Sequence, residues 1–180
     1  MKRLAAQNHL VNNAGISVVG IFRLAPSRTD CLWAKQQINE GEFNGCADVN
    51  IIANLIKVFF RELPVALLDA FDDEEVCRVA EMTPGESVMT LAKAVVTKPP
   101  GGKVRHSLLL WLLDLMSEVV QNSAVNKMTA KNIATVISPN LFTIDTADPT
   151  AAVTMSRKVA DFCEVLLKSR LRTRWRYECE

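Results

Sequence analysis

The sequence predicts an all-α protein, a single domain in which seven to nine helices form a bundle. Apolar residues recur every three to four positions through most of the chain, which is the spacing of one face of a helix. N-cap residues precede these segments, and proline or glycine follows them. Residues 16–24 contain β-branched side chains but alternate too little to predict a strand. With 180 residues, the chain can remove roughly 70% of its unfolded surface from water in one core.

The first two predicted helices flank the irregular segment. The first covers residues 4–13 and ends near Gly15. The second covers residues 31–40, because Asp30 is a favourable N-cap and Gly41 a favourable C-terminal stop.

The third predicted helix, residues 49–63, begins after the N-cap Asp48 and ends before Pro64. Its apolar residues cover most of its surface and predict that it is largely buried. They are Ile51, Ile52, Leu55, Ile56, Phe59, Phe60 and Leu63. One stripe stays polar, formed by Asn50, Asn54, Lys57 and Arg61.

Helices are also predicted on both sides of a glycine- and proline-rich loop over residues 97–103. The first of these helices begins with an acidic run and covers residues 72–82. The spacing of Thr83-Pro84-Gly85-Glu86 resembles a capping box and predicts the next over residues 84–96. After the loop, apolar residues repeat at helical spacing over residues 104–121.

Two further helices complete the bundle. One begins at Thr129 and is ended by Pro139, and a long one begins at Asp148-Pro149. Asn140 follows the proline, so its amide can satisfy the last carbonyls of its own helix or project toward the backbone of a partner.

The polar stripe on the 49–63 helix also has two interpretations. Its four residues fall within roughly 60° of each other around the helix axis. Lys57 and Arg61 lie four positions apart with no carboxylate between them and repel each other by a few tenths of a kcal/mol. The stripe is either an ordinary solvated face or a surface for an anionic partner, which would offset that repulsion.

Composition excludes several function classes. The 21 basic and 20 acidic residues leave a net charge of +1, which argues against nucleic-acid capture by a global field. Five dispersed cysteines without a C-x-x-C pair, and only two histidines, predict neither a metal site nor a disulfide framework. A reducing compartment fits these cysteines, and no signal peptide or 18-residue apolar stretch is found, so we expect a cytoplasmic protein.

We expect the domain to occupy residues 1–180, with its core at about 4–168 and a basic C-terminal tail at 169–180. The tail is either a solvated helix end or a weak contact with a membrane surface.

The segment Val19-Gly-Ile-Phe-Arg-Leu-Ala-Pro26 places an arginine directly after a short apolar run. Arg23 is either a counter-charge at a helix end or a side chain presented to a partner. Gly20 allows a close backbone approach, Ile21 and Phe22 can anchor the segment in the core, and Pro26 stiffens its exit.

Three segments together resemble the Rho GTPase-activating (RhoGAP) domain family. They are "GIFR" at 20–23, "LIKVFFRELPVALL" at 55–68 and "NKMTAKNIATVISPNLF" at 126–142. Each is weak alone, but their order and spacing are specific, and the similarity extends from about residue 4 to residue 168. The resemblance implies an all-helical domain that binds GTP-loaded Rho, Rac and related small GTPases and accelerates their GTP hydrolysis.

The resemblance also implies roles for individual residues. Arg23 matches the family's arginine finger, and Lys57, Arg61 and Asn140 match its partner-binding or loop-supporting residues. Asn54 of the polar stripe is a further candidate partner contact, and Arg28 is either a second contact beside Arg23 or an ordinary exposed side chain. The chain needs no cofactor of its own, since GTP and Mg²⁺ belong to the partner, and it has no G-x-x-x-x-G-K-[ST] loop for binding nucleotide.

The sequence departs from the family pattern close to the finger. Val19 replaces a frequent glutamate, Ala25-Pro26 replaces Ser-Gly, and Val65-Ala66 replaces Glu-Pro after "RELP". These changes leave the matched polar groups in place but put the loop geometry in question. The alternative function is therefore a catalytically weak module of the same fold that binds a GTPase or another signalling partner as a scaffold.

Overall fold

A computed structural model of the protein describes residues 15–178, with side chains described up to residue 173. Within this range there are eight α-helices, two 3₁₀ turns (Gly15–Ser17 and Ser138–Asn140) and no β-strand. The helices are α1 (Arg28–Glu40), α2 (Val49–Arg61), α3 (Asp73–Ala80), α4 (Glu86–Thr97), α5 (Gly102–Gln121), α6 (Ser123–Asn126), α7 (Ala130–Ile137) and α8 (Pro149–Glu178). The all-α prediction is confirmed, whereas the helix predicted over 4–13 lies outside the described residues.

Several predicted caps are confirmed because the side-chain oxygen is placed to accept a free amide of the first turn. Asp48 accepts from the backbone N–H of Asn50, and Thr129 accepts from that of Asn132. Gly41 ends α1 in the left-handed conformation, with φ of +84°.

Two predicted helix starts are wrong. The N-cap of α1 is Ser27, whose hydroxyl accepts from the backbone N–H of Asp30, so the helix begins at Arg28 instead of residue 31. The apparent capping box at Thr83 is not formed, and α4 begins after Gly85, which has no side chain to accept a bond. Both errors come from choosing between several cap-forming residues that stand close together.

The long helix α8 organises the core, packing against α3, α4, α5 and α7. Its inward residues include Val159, Phe162 and Leu166, all almost fully buried. Phe162 meets Phe71 edge to face, with ring centroids 4.9 Å apart.

The predicted tail does not begin as a separate segment at residue 169, because α8 continues to Glu178. Ser169 is fully buried, and Arg170 forms a bidentate ion pair with Asp114 of α5 at 2.8 and 3.0 Å. Arg172 donates to the backbone oxygen of Pro84 at 2.6 Å. These contacts make residues 169–172 part of the bundle.

The start of α5 packs closely against the end of α4 and tolerates only glycine. A Cβ atom on Gly102 would lie 2.5 Å from both the Cα and the carbonyl oxygen of Thr97. We predict that Gly102→Ala lowers the free energy of unfolding by about 2–3 kcal/mol, because the backbone of Thr97 would have to move. Urea unfolding measures this.

Gly85→Ala is the matched control, since a Cβ there meets nothing within 4 Å. It should change the free energy of unfolding by at most about 0.5 kcal/mol. Equal effects of the two variants would contradict the proposed packing.

Candidate functional site

Residues 15–24, here called the Arg23 loop, combine a buried anchor with an exposed tip. After the 3₁₀ turn, the backbone reverses at Gly20 and again at Phe22, which have φ values of +75° and +69°. A phenylalanine rarely adopts this left-handed conformation, and it needs support from its surroundings. Ile21 and Phe22 are fully buried in the main core, which supplies part of that support.

Arg23 lies at the tip of this loop with an exposed side chain. Its backbone N–H donates to the carbonyl oxygen of Gly20 at 2.9 Å, while no carboxylate of the described residues forms an ion pair with its guanidinium. Val19, four residues before Arg23, and Leu24, directly after it, are 57% and 46% exposed. Arg23 follows a turn and precedes α1 by five residues, so it is not the counter-charge of a helix end.

Lys57 connects α2 to the Arg23 loop. Its Nζ atom donates a hydrogen bond of 2.7 Å to the carbonyl oxygen of Phe22, the residue directly before Arg23. Lys57 is half-buried, and burial lowers its pKa below the ordinary value of 10.5, with the nearby charge of Arg61 lowering it further. A half-buried ammonium is therefore kept close to another cation while it holds the loop.

Arg61 and Asn140 belong to two elements that pack against each other, α2 and the second 3₁₀ turn. Arg61 is exposed at the last position of α2. The turn that contains Asn140 packs against α2, and the Asn140 Nδ2 atom donates to the carbonyl oxygens of Val136 and Ile137, each at 3.2 Å. Of the two interpretations of Asn140, the internal hydrogen bonds are present, and a contact with the backbone of a partner stays a prediction.

The four residues of the polar stripe on α2 differ in their hydrogen bonding. Asn50 donates to its own N-cap, Asp48 Oδ1, at 2.8 Å. Asn54 donates to the Cys31 sulfur of α1 at 3.4 Å. The first half of the stripe therefore makes hydrogen bonds to its own N-cap and to α1, whereas Lys57 bonds to the Arg23 loop and Arg61 is exposed. Arg28 is exposed at the first position of α1, and its predicted partner contact, like that of Asn54, stays a prediction.

Asn126 is the functional candidate to which the sequence pattern assigned no role. Its backbone oxygen accepts the N–H of Gly20 at 2.8 Å, so it contacts the Arg23 loop from the end of α6, more than 100 residues away in sequence. Asparagine is common in turns, so a single asparagine in the sequence is only a weak signal of a functional role.

A separate apolar groove of about 270 Å³ lies between α1, α2 and α5. Phe59 and Trp111 line it, and an ion pair of 2.7 Å between Lys35 and Glu62 lies at its edge. Neither Lys57 nor Arg61 lines this groove, so it is distinct from the surface around Arg23.

Neither a metal-binding cluster nor a membrane-spanning helix is present in the described part of the chain. No group of three or more His, Cys, Asp or Glu side chains among the described residues could bind a metal ion. None of the described helices is both long and apolar enough to cross a membrane.

Comparison with known proteins gives consistent matches. The sequence model of the RhoGAP domain family matches residues 5–146 of this chain. Rho GTPase-activating protein gacA of Dictyostelium discoideum is 32% identical over 162 residues, which cover 90% of this chain and 45% of that protein. Rho GTPase-activating protein 1 of Arabidopsis thaliana is 36% identical over 171 residues, which cover 95% of this chain and 34% of that protein. The chain thus spans less than half the length of these relatives.

Solved structures share the fold. The BH domain from Graf, the GTPase regulator associated with focal adhesion kinase, has a TM-score of 0.74 at 20% identity, covering 93% of this chain and 90% of that one. Human Rho GTPase activating protein 15 has a TM-score of 0.72 at 18% identity, covering 90% of this chain and 79% of that one.

The bond between Lys57 and Phe22 predicts a stability difference between neighbouring cations. Lys57→Met keeps the apolar stem but leaves the Phe22 carbonyl without its charged donor. We expect the free energy of unfolding to fall by about 1–2 kcal/mol. Arg61→Gln is the control and should change it by less than about 0.5 kcal/mol. Equal values for the two variants in urea unfolding would argue against the bond.

The pKa of Lys57 should rise in Arg61→Gln, because a like charge is removed, but should stay below 10.5, because burial remains. An NMR titration of the Lys57 side chain measures both values. In the wild type, the unfolded chain binds this proton more tightly than the folded one. The contribution of Lys57 to the free energy of unfolding therefore increases as the pH rises from its lowered pKa to 10.5. An unchanged pKa in Arg61→Gln would contradict the coupling.

Proposed function

The chain belongs to the RhoGAP domain family, and from this membership we propose that it binds a GTP-loaded Rho-family GTPase and accelerates GTP hydrolysis with Arg23. In this proposal Arg23 enters the active site of the GTPase as an arginine finger. The chain itself is a regulator and not the GTP-hydrolysing enzyme, and GTP and Mg²⁺ are bound by the partner.

The observation that carries the proposal is an exposed arginine on a loop whose two preceding residues are fully buried. The buried Ile21 and Phe22 fix the Cα position of Arg23, so little loop entropy remains to be lost when the partner docks. The side chain meanwhile has no carboxylate among the described residues to compete with a phosphate.

The chemistry suits a guanidinium. During phosphoryl transfer, negative charge grows on the oxygens around the γ-phosphate, and a positive group placed there lowers the barrier. Arginine is permanently charged, presents a planar fork of donors and is less strongly hydrated than lysine, so it can enter a water-excluded site at lower cost. Val19 and Leu24, exposed apolar side chains of the same loop, would exclude water from the contact.

The surrounding polar residues divide into two roles in this proposal. Lys57 positions the loop through the carbonyl oxygen of Phe22 and does not need to touch the partner. Arg61 is exposed on the same helix and is offered to the acidic or phosphate groups of the GTPase. Asn140 donates its amide N–H groups to the last carbonyl oxygens of α7, so its Oδ1 atom is left to accept a hydrogen bond from the partner.

The proposal predicts a loss of catalysis without an equal loss of binding in Arg23→Ala. At saturating concentration of the domain, the single-turnover rate of GTP hydrolysis by Rho or Rac should fall by about 10³-fold or more. Affinity for the same GTPase loaded with a non-hydrolysable GTP analogue should change by less than about 10-fold, because most of the contact surface remains. Arg23→Lys should also be inactive, since an ammonium cannot reproduce the guanidinium fork.

Arg78→Ala provides the control, because Arg78 is also exposed but lies on α3, away from the Arg23 loop in sequence and packing. It should leave the stimulated rate unchanged. If wild type and Arg23→Ala bind the GTPase but give equal hydrolysis rates, the chain is a scaffold module and the catalytic proposal is wrong.

A further inference from the structure

A second residue far from Arg23 in sequence is built into the same loop. Asn126 lies at the end of α6 and is fully buried, one of only four buried polar side chains in the described part of the chain. A buried carboxamide costs stability unless its hydrogen-bonding groups are satisfied. The partners that satisfy it therefore indicate which parts of the structure it holds together.

The Asn126 side chain makes three hydrogen bonds, each to a different segment. Its Nδ2 atom donates to the carbonyl oxygen of Ile16 at 2.6 Å and to that of Val119 at 2.7 Å. Its Oδ1 atom accepts the backbone N–H of Met128 at 2.7 Å. One side chain thus joins the entry of the Arg23 loop to the end of α5 and to the turn that leads into α7.

The backbone of Asn126 contacts the loop a second time. Its carbonyl oxygen accepts the N–H of Gly20 at 2.8 Å. Gly20 in turn accepts, through its own carbonyl oxygen, the N–H groups of Arg23 and Leu24 at 2.9 and 3.0 Å. A continuous series of hydrogen bonds therefore runs from Asn126 through Gly20 to the backbone of Arg23.

We propose that Asn126 is a positioning residue for Arg23, and this inference rests on the proposed function. Asn126 holds the loop at Ile16 and Gly20, and Lys57 holds it at Phe22 on the other side of the reversal. With both ends of Gly20-Ile21-Phe22 fixed, the Cα of Arg23 has one position relative to α2 and α5. Catalytic geometry is sensitive to displacements of about 1 Å, so loss of this support should reduce the rate more than the binding.

The residue type matches this role. A carboxamide offers two donors and an acceptor on one planar group, which is the set that two carbonyl oxygens and one N–H require. Aspartate cannot donate to the two carbonyls, and serine has a single donor on a shorter side chain. Asn126→Ala therefore removes the donor to the carbonyl oxygen of Ile16 and the acceptor for the N–H of Met128, while the carbonyl oxygen of Val119 keeps the backbone N–H of Asn122 at 3.1 Å.

The decisive experiment is a double-mutant cycle in the full chain. Wild type, Asn126→Ala, Arg23→Ala and the double variant are compared in single-turnover GTP hydrolysis by a Rho-family GTPase. We expect Asn126→Ala to lower the saturating rate at least 10-fold while the half-saturating concentration changes less than 3-fold. Because Asn126 acts through Arg23, it should lower the rate less than 2-fold further when Arg23 is already alanine.

Ser169→Ala controls for a general loss of stability. Ser169 is also fully buried and makes two hydrogen bonds, donating to the carbonyl oxygen of Val165 at 2.7 Å and accepting the N–H of Gly85 at 3.0 Å. It should lower Tm but leave the saturating rate within 2-fold of wild type. An equal loss of rate in Asn126→Ala and Ser169→Ala would overturn the proposal, as would an undiminished effect of Asn126→Ala in the Arg23→Ala background.

Hydrogen exchange at the Gly20 amide tests the same support without any GTPase. The wild-type amide should be protected, and Asn126→Ala should exchange it at least 10-fold faster, with Asn126→Ser used if the alanine variant does not fold. An unprotected Gly20 amide in the wild type would overturn the proposal on its own. If wild type stimulates no GTPase but Gly20 is protected through Asn126, the proposed function fails while the support of the loop stands.

Discussion

The hydrogen bond from Lys57 to the carbonyl oxygen of Phe22 is the interaction on which the site depends. Phe22 is bulky and left-handed, a combination that the backbone does not adopt without compensation. Burial of its ring offsets part of the cost, and an ammonium on its carbonyl oxygen offsets more. As a result, the ring of Phe22 lies in the core and the next side chain, Arg23, is exposed.

The same bond explains why α2 carries two cations on a helix that is otherwise largely buried. Lys57 has to be a donor long enough to reach from α2 to the loop, and its half-buried position lowers its pKa. Arg61, one helical turn further along α2, is exposed, and its positive charge makes the charged form of Lys57 less favourable. A pair that opposes stability in this way is typical of functional surfaces, where local cost is offset by the rest of the fold.

The departures from the family pattern close to Arg23 fall at exposed or partly exposed positions. Ala25-Pro26 follows Arg23 on the exposed side of the loop, and Val19 is exposed before it. The contacts that set the position of Arg23 come instead from Ile21, Phe22 and their partners in α2 and the α6–α7 turn. These departures therefore alter exposed positions near Arg23 and leave the internal contacts of the loop in place.

By itself, the sequence determined the all-α class, the limits of α2 at Asp48 and α7 at Thr129, and the candidacy of Arg23, because caps, periodicity and short motifs act over a few residues. It misplaced the start of α1, where Ser27 and Asp30 compete as caps. Only the tertiary structure decided what the polar groups bind. Lys57 meets Phe22 across 35 positions and Asn126 meets Ile16 across 110, and no local pattern encodes hydrogen bonds between residues so far apart.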